Sequence, residues 1–196
     1  MLACCTEVAA ILLARMFSPA AANLNETGQM SSWATTTYGV PCRECGYDWS
    51  IDLDGAAAIV AAVSAQYGEL LAGGDGAQRH PNLSWPARAY VAHVADNLRI
   101  WAERLVAAAL GASARVTPYD ENLLATARGY DTLPIEGALW SLARAAVEWN
   151  EALRMAAEVD VILVHPDKGE QTVLDVARSN AHDAFHHRWD IERSIQ

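Results

Sequence analysis

Phenylalanine occurs only twice in this chain, while alanine dominates. That bias favours helix over sheet, because alanine loses no side-chain entropy in a helix and sheets draw on bulky aromatic and β-branched residues. Lysine and arginine form no cluster anywhere, and the formal net charge is −10. Phosphate backbones need a basic surface, so nucleic acid is excluded as the main partner, and the acidity is ordinary solubility. No apolar run reaches the length of about eighteen residues that spans a bilayer, so no membrane helix is expected. A nucleophile elbow and a glycine-rich phosphate loop are both missing, which argues against Ser/His/Asp chemistry and nucleotide cradling. The four cysteines stand as Cys4-Cys5 and Cys42-x-x-Cys45. This is not the spread spacing of a disulfide framework, and a reducing cytoplasm is the expected compartment.

What is present fits one globular domain. A chain of 196 residues with 52% hydrophobic and 19% charged residues can bury a sizeable core without staples. The first 29 residues differ from the rest. Met1 to Met16 is apolar but lacks a basic start and is broken by Glu7 and Arg15, a poor signal peptide. A second plausible initiator sits at Met30. The functional protein is therefore expected to begin near Met30 with the first 29 residues dispensable, residues 1–40 to be a poorly structured N-terminal extension, and 41–196 to be the domain.

The domain opens on V-P-C-R-E-C-G-Y-D-W, Val40 to Trp49. One CxxC followed by glycine can form a metal-binding knuckle or a redox pair, but structural zinc takes four ligands and this stretch supplies two. The expectation is a small structural turn, peripheral to catalysis. Four long helical segments follow. The first starts at Asp52 and Asp54 and ends near Leu71 before G-G-D-G. The second begins at Ser84-Trp85-Pro86, with Ser84 as N-cap, and carries Tyr90, Val94, Leu98, Trp101 and Leu105 as far as Leu110. A short helical piece, Tyr119 to Ala127, precedes the third, which covers about Ile135 to Ala157 with Leu139, Leu142, Val147, Trp149 and Leu153 on its apolar face. Asp160 to Val164 is a candidate extended run, and H-P-D-K-G a turn. The fourth helix runs from Thr172 to Ile195. Four amphipathic helices of this length must bury their stripes against one another, giving an all-α four-helix bundle, and the stretch from Gly111 to Pro134 is long enough for a crossover.

The fourth helix holds the densest chemistry, A-H-D-A-F-H-H-R-W-D-I from Ala181 to Ile191. Residues four apart share a helix face, so His182 with His186, or Asp183 with His187, could each grip one metal ion. At about 100° per residue, Val173, Ala177, Asn180, Ala184, Ile191 and Ile195 form the buried stripe. His187 falls on that stripe, Asp183 flanks it and His186 projects away. Asp183 and His187 are the expected inward pair, with His182 and His186 as the competing register. Outside this cluster only His93 lies within a helix, where a lone histidine is usually a hydrogen-bonded neighbour.

Two stretches, Y-V-A-H-V-A-D-N around His93 and H-D-A-F-H-H-R-W-D-I in the last helix, resemble the DinB/YfiT-like superfamily, which includes mycothiol-dependent maleylpyruvate isomerases and bacillithiol transferases. P-C-R-E-C-G-Y-D looks like the N-terminal signature of one DinB-like subgroup. The resemblance covers about Pro41 to Ile195 and implies an up-down-down-up bundle holding one divalent ion, zinc or nickel, near one end. Carried onto this chain, it makes His93, Asp183 and His187 the metal ligands. Asp183 stands where the family often has Glu or His, and its shorter side chain puts direct contact in question; His182 and His186 also satisfy the family's His-x-x-x-His form. Asp190, one turn beyond His187, is the residue expected to serve the chemistry by orienting a ligand. The implied activity is transfer of a low-molecular-weight thiol to an electrophile, or a thiol-assisted isomerisation, with a small-molecule thiol as cosubstrate. The alternative is a non-catalytic, stress-associated metal-binding bundle acting as a dimerisation or binding module. A homodimer is the expected assembly.

Overall fold

The computed structural model describes residues 32–196. The reading of residues 1–29 as an extension, the start at Met30 and the Cys4-Cys5 pair all lie outside the described residues. Within the stretch expected as extension, Ser32–Tyr38 forms a short helix, α1. It packs through Ala34, which is buried, and through Tyr38, whose ring stacks on Trp49 at 6.0 Å.

The bundle helices are α2 (Leu53–Leu70), α3 (Ala87–Ala109), α5 (Ile135–Glu158) and α6 (Val173–Ser194), with the short α4 (Glu121–Arg128) in the crossover. Each start has a local cause. Asp52 caps α2 by accepting from Gly55 N, and Asp120 caps α4 by accepting from Asn122 N and Leu123 N. Thr172 and Asp175 form a reciprocal capping box at the head of α6. Ser84 does not cap α3, contrary to expectation; Pro86 holds that position. The first-turn amides of Ala87 and Arg88 donate instead to the carbonyls of Gln78 and Gly76, each at 2.8 Å. Gly76 is at φ +66°, and a Cβ there would stand 3.0 Å from Arg88 Cβ, so this approach depends on glycine.

Helix α3 packs most extensively on α5, and α2 packs on both α5 and α6, with α3 closing the ring against α6. Helices α3 and α5 run the same way. The backbone after α3 pairs with the strand after α5, where Val116 N donates to Val164 O and Val164 N to Ala114 O. Helices α2 and α6 are also parallel, since Arg178 reaches the Ile51 carbonyl near the start of both while Tyr67 OH donates to Ala184 O further along. The order up-down-down-up follows, and the crossover between α3 and α5 is what permits the parallel pair. The expected extended run and turn form a hairpin of β1 (Ile162–His165) and β2 (Gly169–Thr172), a minor sheet whose turn is held by His165 Nδ1 accepting from Asp167 N and Lys168 N.

Trp149, Leu98, Leu105, Leu142, Leu153 and Ile191 are completely buried in the core. Each such side chain contributes on the order of 1.5–3 kcal/mol. Val147, expected on the apolar face of α5, is 53% exposed, because Leu142, Ala146 and Trp149 take the inward phase of that helix. Among the described residues no helix is long and apolar enough to cross a membrane.

Candidate functional site

Helix packing brings His93 of α3 against Asp183 and His187 of α6. Donor atoms of these three side chains all lie within 4.8 Å of one another. Asp183 Oδ1 is 3.6 Å from His93 Nε2 and 3.5 Å from His187 Nε2. Two donors about 2.1 Å from one ion at tetrahedral angles stand roughly 3.4 Å apart, so the two Asp183–histidine distances are compatible with a shared divalent ion.

The surroundings fix each of these groups. The other oxygen of Asp183 accepts from Asn97 Nδ2 at 2.9 Å, and Asn97 Oδ1 in turn accepts from Tyr119 OH at 3.2 Å. His187 Nδ1 lies 2.8 Å from Asp190 Oδ2, which leaves Nε2 directed at the site. Asp190 is buried and also accepts from Arg193 Nη2 at 2.6 Å. Its carboxylate therefore stands behind His187, the place of a positioning residue. Trp85 packs on the His93 ring at 5.2 Å and Tyr90 on the His187 ring at 4.9 Å.

The charges are strongly coupled. Burial alone would raise the Asp183 carboxyl, but His187 and His93 beside it hold it well below the usual carboxylate range. Burial pulls His187 down, yet Asp183 and then Asp190 lift it to about 9. Asp183 and Asp190 thus favour a positive charge at His187, the electrostatics expected of a cation site.

The three side chains open onto a cavity of about 430 Å³. Its far wall carries Arg104, Tyr119, His165 and Lys168. Lys168 is the chain's only lysine. Its ammonium sits 4.2 Å from the centre of the Trp33 ring, and burial lowers its pKa. Asn97, Tyr119 and Lys168 were not singled out from sequence. Asn97 is four residues after His93 and so shares its face, a signal that was available; Tyr119 and Lys168 come from connections whose course the spacing does not fix.

His182 and His186 are not brought to His93. They leave α6 on an adjacent face, where His182 meets Tyr38, Tyr47 and Trp49 at ring separations of 4.6, 5.2 and 4.5 Å. His186 points away from the buried stripe, as expected, and its side chain there is only 16% exposed. The turn at Cys42 to Cys45 lies against this face.

No curated protein matches the chain. Among solved structures, it is similar to YfiT from Bacillus subtilis, described as a probable metal-dependent hydrolase with an unusual four-helix bundle topology. The likeness has a TM-score of 0.59 at 19% identity and covers 72% of this chain and 83% of that one, which speaks for the fold. The family model of the DinB superfamily matches residues 56–191, from the first turn of α2 nearly to the end of α6. The matched span includes His93, Asp183 and His187 and covers more than half of the sequence; the chain belongs to the DinB superfamily.

Proposed function

We propose that this protein is a divalent-metal-dependent enzyme that uses a low-molecular-weight thiol against a small electrophile. The observation that carries the metal-dependent part is the convergence of His93, Asp183 and His187 on one point that opens to a cavity. Three protein ligands leave positions free, the mark of a catalytic rather than a structural site. A zinc or nickel ion held there supplies Lewis acidity, which makes a thiol or water nucleophilic near neutral pH.

The side chains supply the rest. Asn97 keeps Asp183 from rotating away, and Asp190 keeps the His187 ring in the tautomer that presents Nε2. Arg104 and Lys168 give the cavity of an acidic protein two cations, suited to a carboxylate-bearing thiol or acceptor. Trp85, Tyr90 and Trp101 supply flat apolar walls that limit water around the reacting sulfur. In the transfer, the sulfur would bond to the electrophilic carbon as the bond from that carbon to its leaving group breaks; the leaving group departs as an anion, as chloride does from chlorodinitrobenzene, and the thiol proton passes to solvent. We place this chemistry in the cytoplasm, with the protein as a homodimer.

A second reading, hydrolysis by the same centre, draws on the likeness to YfiT. The experiment is to load the purified protein with zinc or nickel and follow thiol consumption with an electrophile such as chlorodinitrobenzene. Consumption that stops on chelation and returns with metal supports thiol use. Ester hydrolysis independent of thiol would favour the second reading, and stoichiometric metal binding without either activity would favour a non-catalytic binding module.

A further inference from the structure

Two of the four histidines that the first site leaves unused, His182 and His186, have an unmet requirement. His182 is only 5% exposed, and its Nε2 has no hydrogen-bond partner among the described residues; His186 Nδ1 is likewise buried and unpartnered among them. An imidazole nitrogen shut away from water without a partner loses its hydration with nothing in return, so two on neighbouring turns of one helix call for an explanation. Cys42 and Cys45 supply one. Both are free thiols, and their sulfurs lie with donor nitrogens of His182 and His186 in a group whose atoms are all within 4.8 Å of one another.

We infer that Cys42, Cys45, His182 and His186 form a second, structural zinc site that ties the N-terminal turn to α6. Sulfur about 2.3 Å and nitrogen about 2.0 Å from one zinc ion, at tetrahedral angles, stand roughly 3.3–3.8 Å apart, which the four donors reach by closing about an ångström. The backbone of the turn already has the form of a metal knuckle. Gly46 N donates to Cys42 O at 2.9 Å and Cys42 N to Tyr47 O at 3.0 Å, curling the chain so that both sulfurs face one side. Gly46 sits at φ +77° with nothing near a Cβ, so its glycine serves the backbone turn rather than a tight contact.

The site is closed. Four protein ligands fill a tetrahedron, and the rings of Tyr38, Tyr47 and Trp49 cover His182, so no position remains for a substrate. On its other edge, His186 Nε2 is 3.7 Å from both Glu44 Oε2 and Asp190 Oδ2, carboxylates placed to orient the ring from behind. A disulfide between Cys42 and Cys45 would leave both imidazole nitrogens unmet, whereas zinc satisfies all four groups together. Because His182 and His186 each precede a ligand of the first site by one residue, clamping them fixes the rotation of α6 that aims Asp183 and His187.

The test uses the full chain, purified without added metal and analysed for bound ions. Zinc at two equivalents is expected, falling to one in Cys42→Ser and in His182→Ala, while His93→Ala keeps the zinc held by the cysteines. A readout that needs no variant is cobalt substitution of the intact protein, which should show a thiolate-to-cobalt charge-transfer band in the near ultraviolet. That band should persist in His93→Ala. Absence of the thiolate band in cobalt-loaded protein, zinc content unchanged in Cys42→Ser, or recovery of Cys42 and Cys45 as a disulfide would overturn the inference.

Discussion

Asp190 Oδ2 lies 2.8 Å from His187 Nδ1, and the same oxygen is 3.7 Å from His186 Nε2. One buried carboxylate thus lies beside two adjacent histidines that belong to different groups of donor atoms. Asp190→Ala should weaken metal binding at His93, Asp183 and His187 by about 10–100-fold, the usual effect of removing such a partner. Competition with a chromophoric chelator measures it. Unchanged affinity would show that the His187 ring is held by its packing on Tyr90 instead.

The ion-free protein should carry a histidine that titrates near pH 9. His187 is lifted there by Asp183 and Asp190 on its own helix against the pull of burial, with His93 and Tyr90 facing it from α3. Its folded pKa lies above its unfolded value of about 6.5, so the stabilisation is fully present below pH 6.5 and is lost as pH rises through 9. Proton NMR titration of chelator-treated protein should find one midpoint near 9 that vanishes in His187→Gln. Titration of every histidine below pH 7 would refute it.

Asn180 should matter for stability and not for metal. Its side-chain oxygen accepts from Trp149 Nε1 at 2.7 Å in the bundle centre, both residues being buried. Asn180→Ala strands the indole N–H and should cost about 1–3 kcal/mol in denaturant unfolding, with metal content unchanged.

The head of α6 offers a milder test. Thr172→Ala removes the hydroxyl that accepts from Asp175 N and donates to Asp175 Oδ2, leaving the bond from the backbone amide of residue 172 to Asp175 Oδ2, and a loss of about 1 kcal/mol is expected. The pairing of β2 just before it should limit fraying to the first turn, visible as faster amide exchange at Asp175 alone.

Helical periodicity carried the bundle helices to within a few residues of their ends, and the phase of α6 placed Asp183 and His187 on the side that meets His93. His186 leaves α6 away from that stripe, as the periodicity has it, yet it is largely covered, because α6 meets the Cys42 to Trp49 segment as well as α2 and α3. Counting ligands near Cys42 found only two, since the other two lie about 140 residues further on and are brought in by the parallel packing of α2 and α6. That packing is a tertiary fact with no local signature. Val147 and Ser84 failed for the same kind of reason, one left outside the bundle and the other replaced as cap by carbonyls of Gly76 and Gln78.

The most direct test of the metal centre is anomalous diffraction at the zinc edge from crystals of the zinc-loaded protein. The predicted result is a peak about 2.0–2.2 Å from His93 Nε2, Asp183 Oδ1 and His187 Nε2, facing the cavity that holds Lys168 and Arg104. Crystals with zinc bound elsewhere and no peak among those three atoms would contradict it.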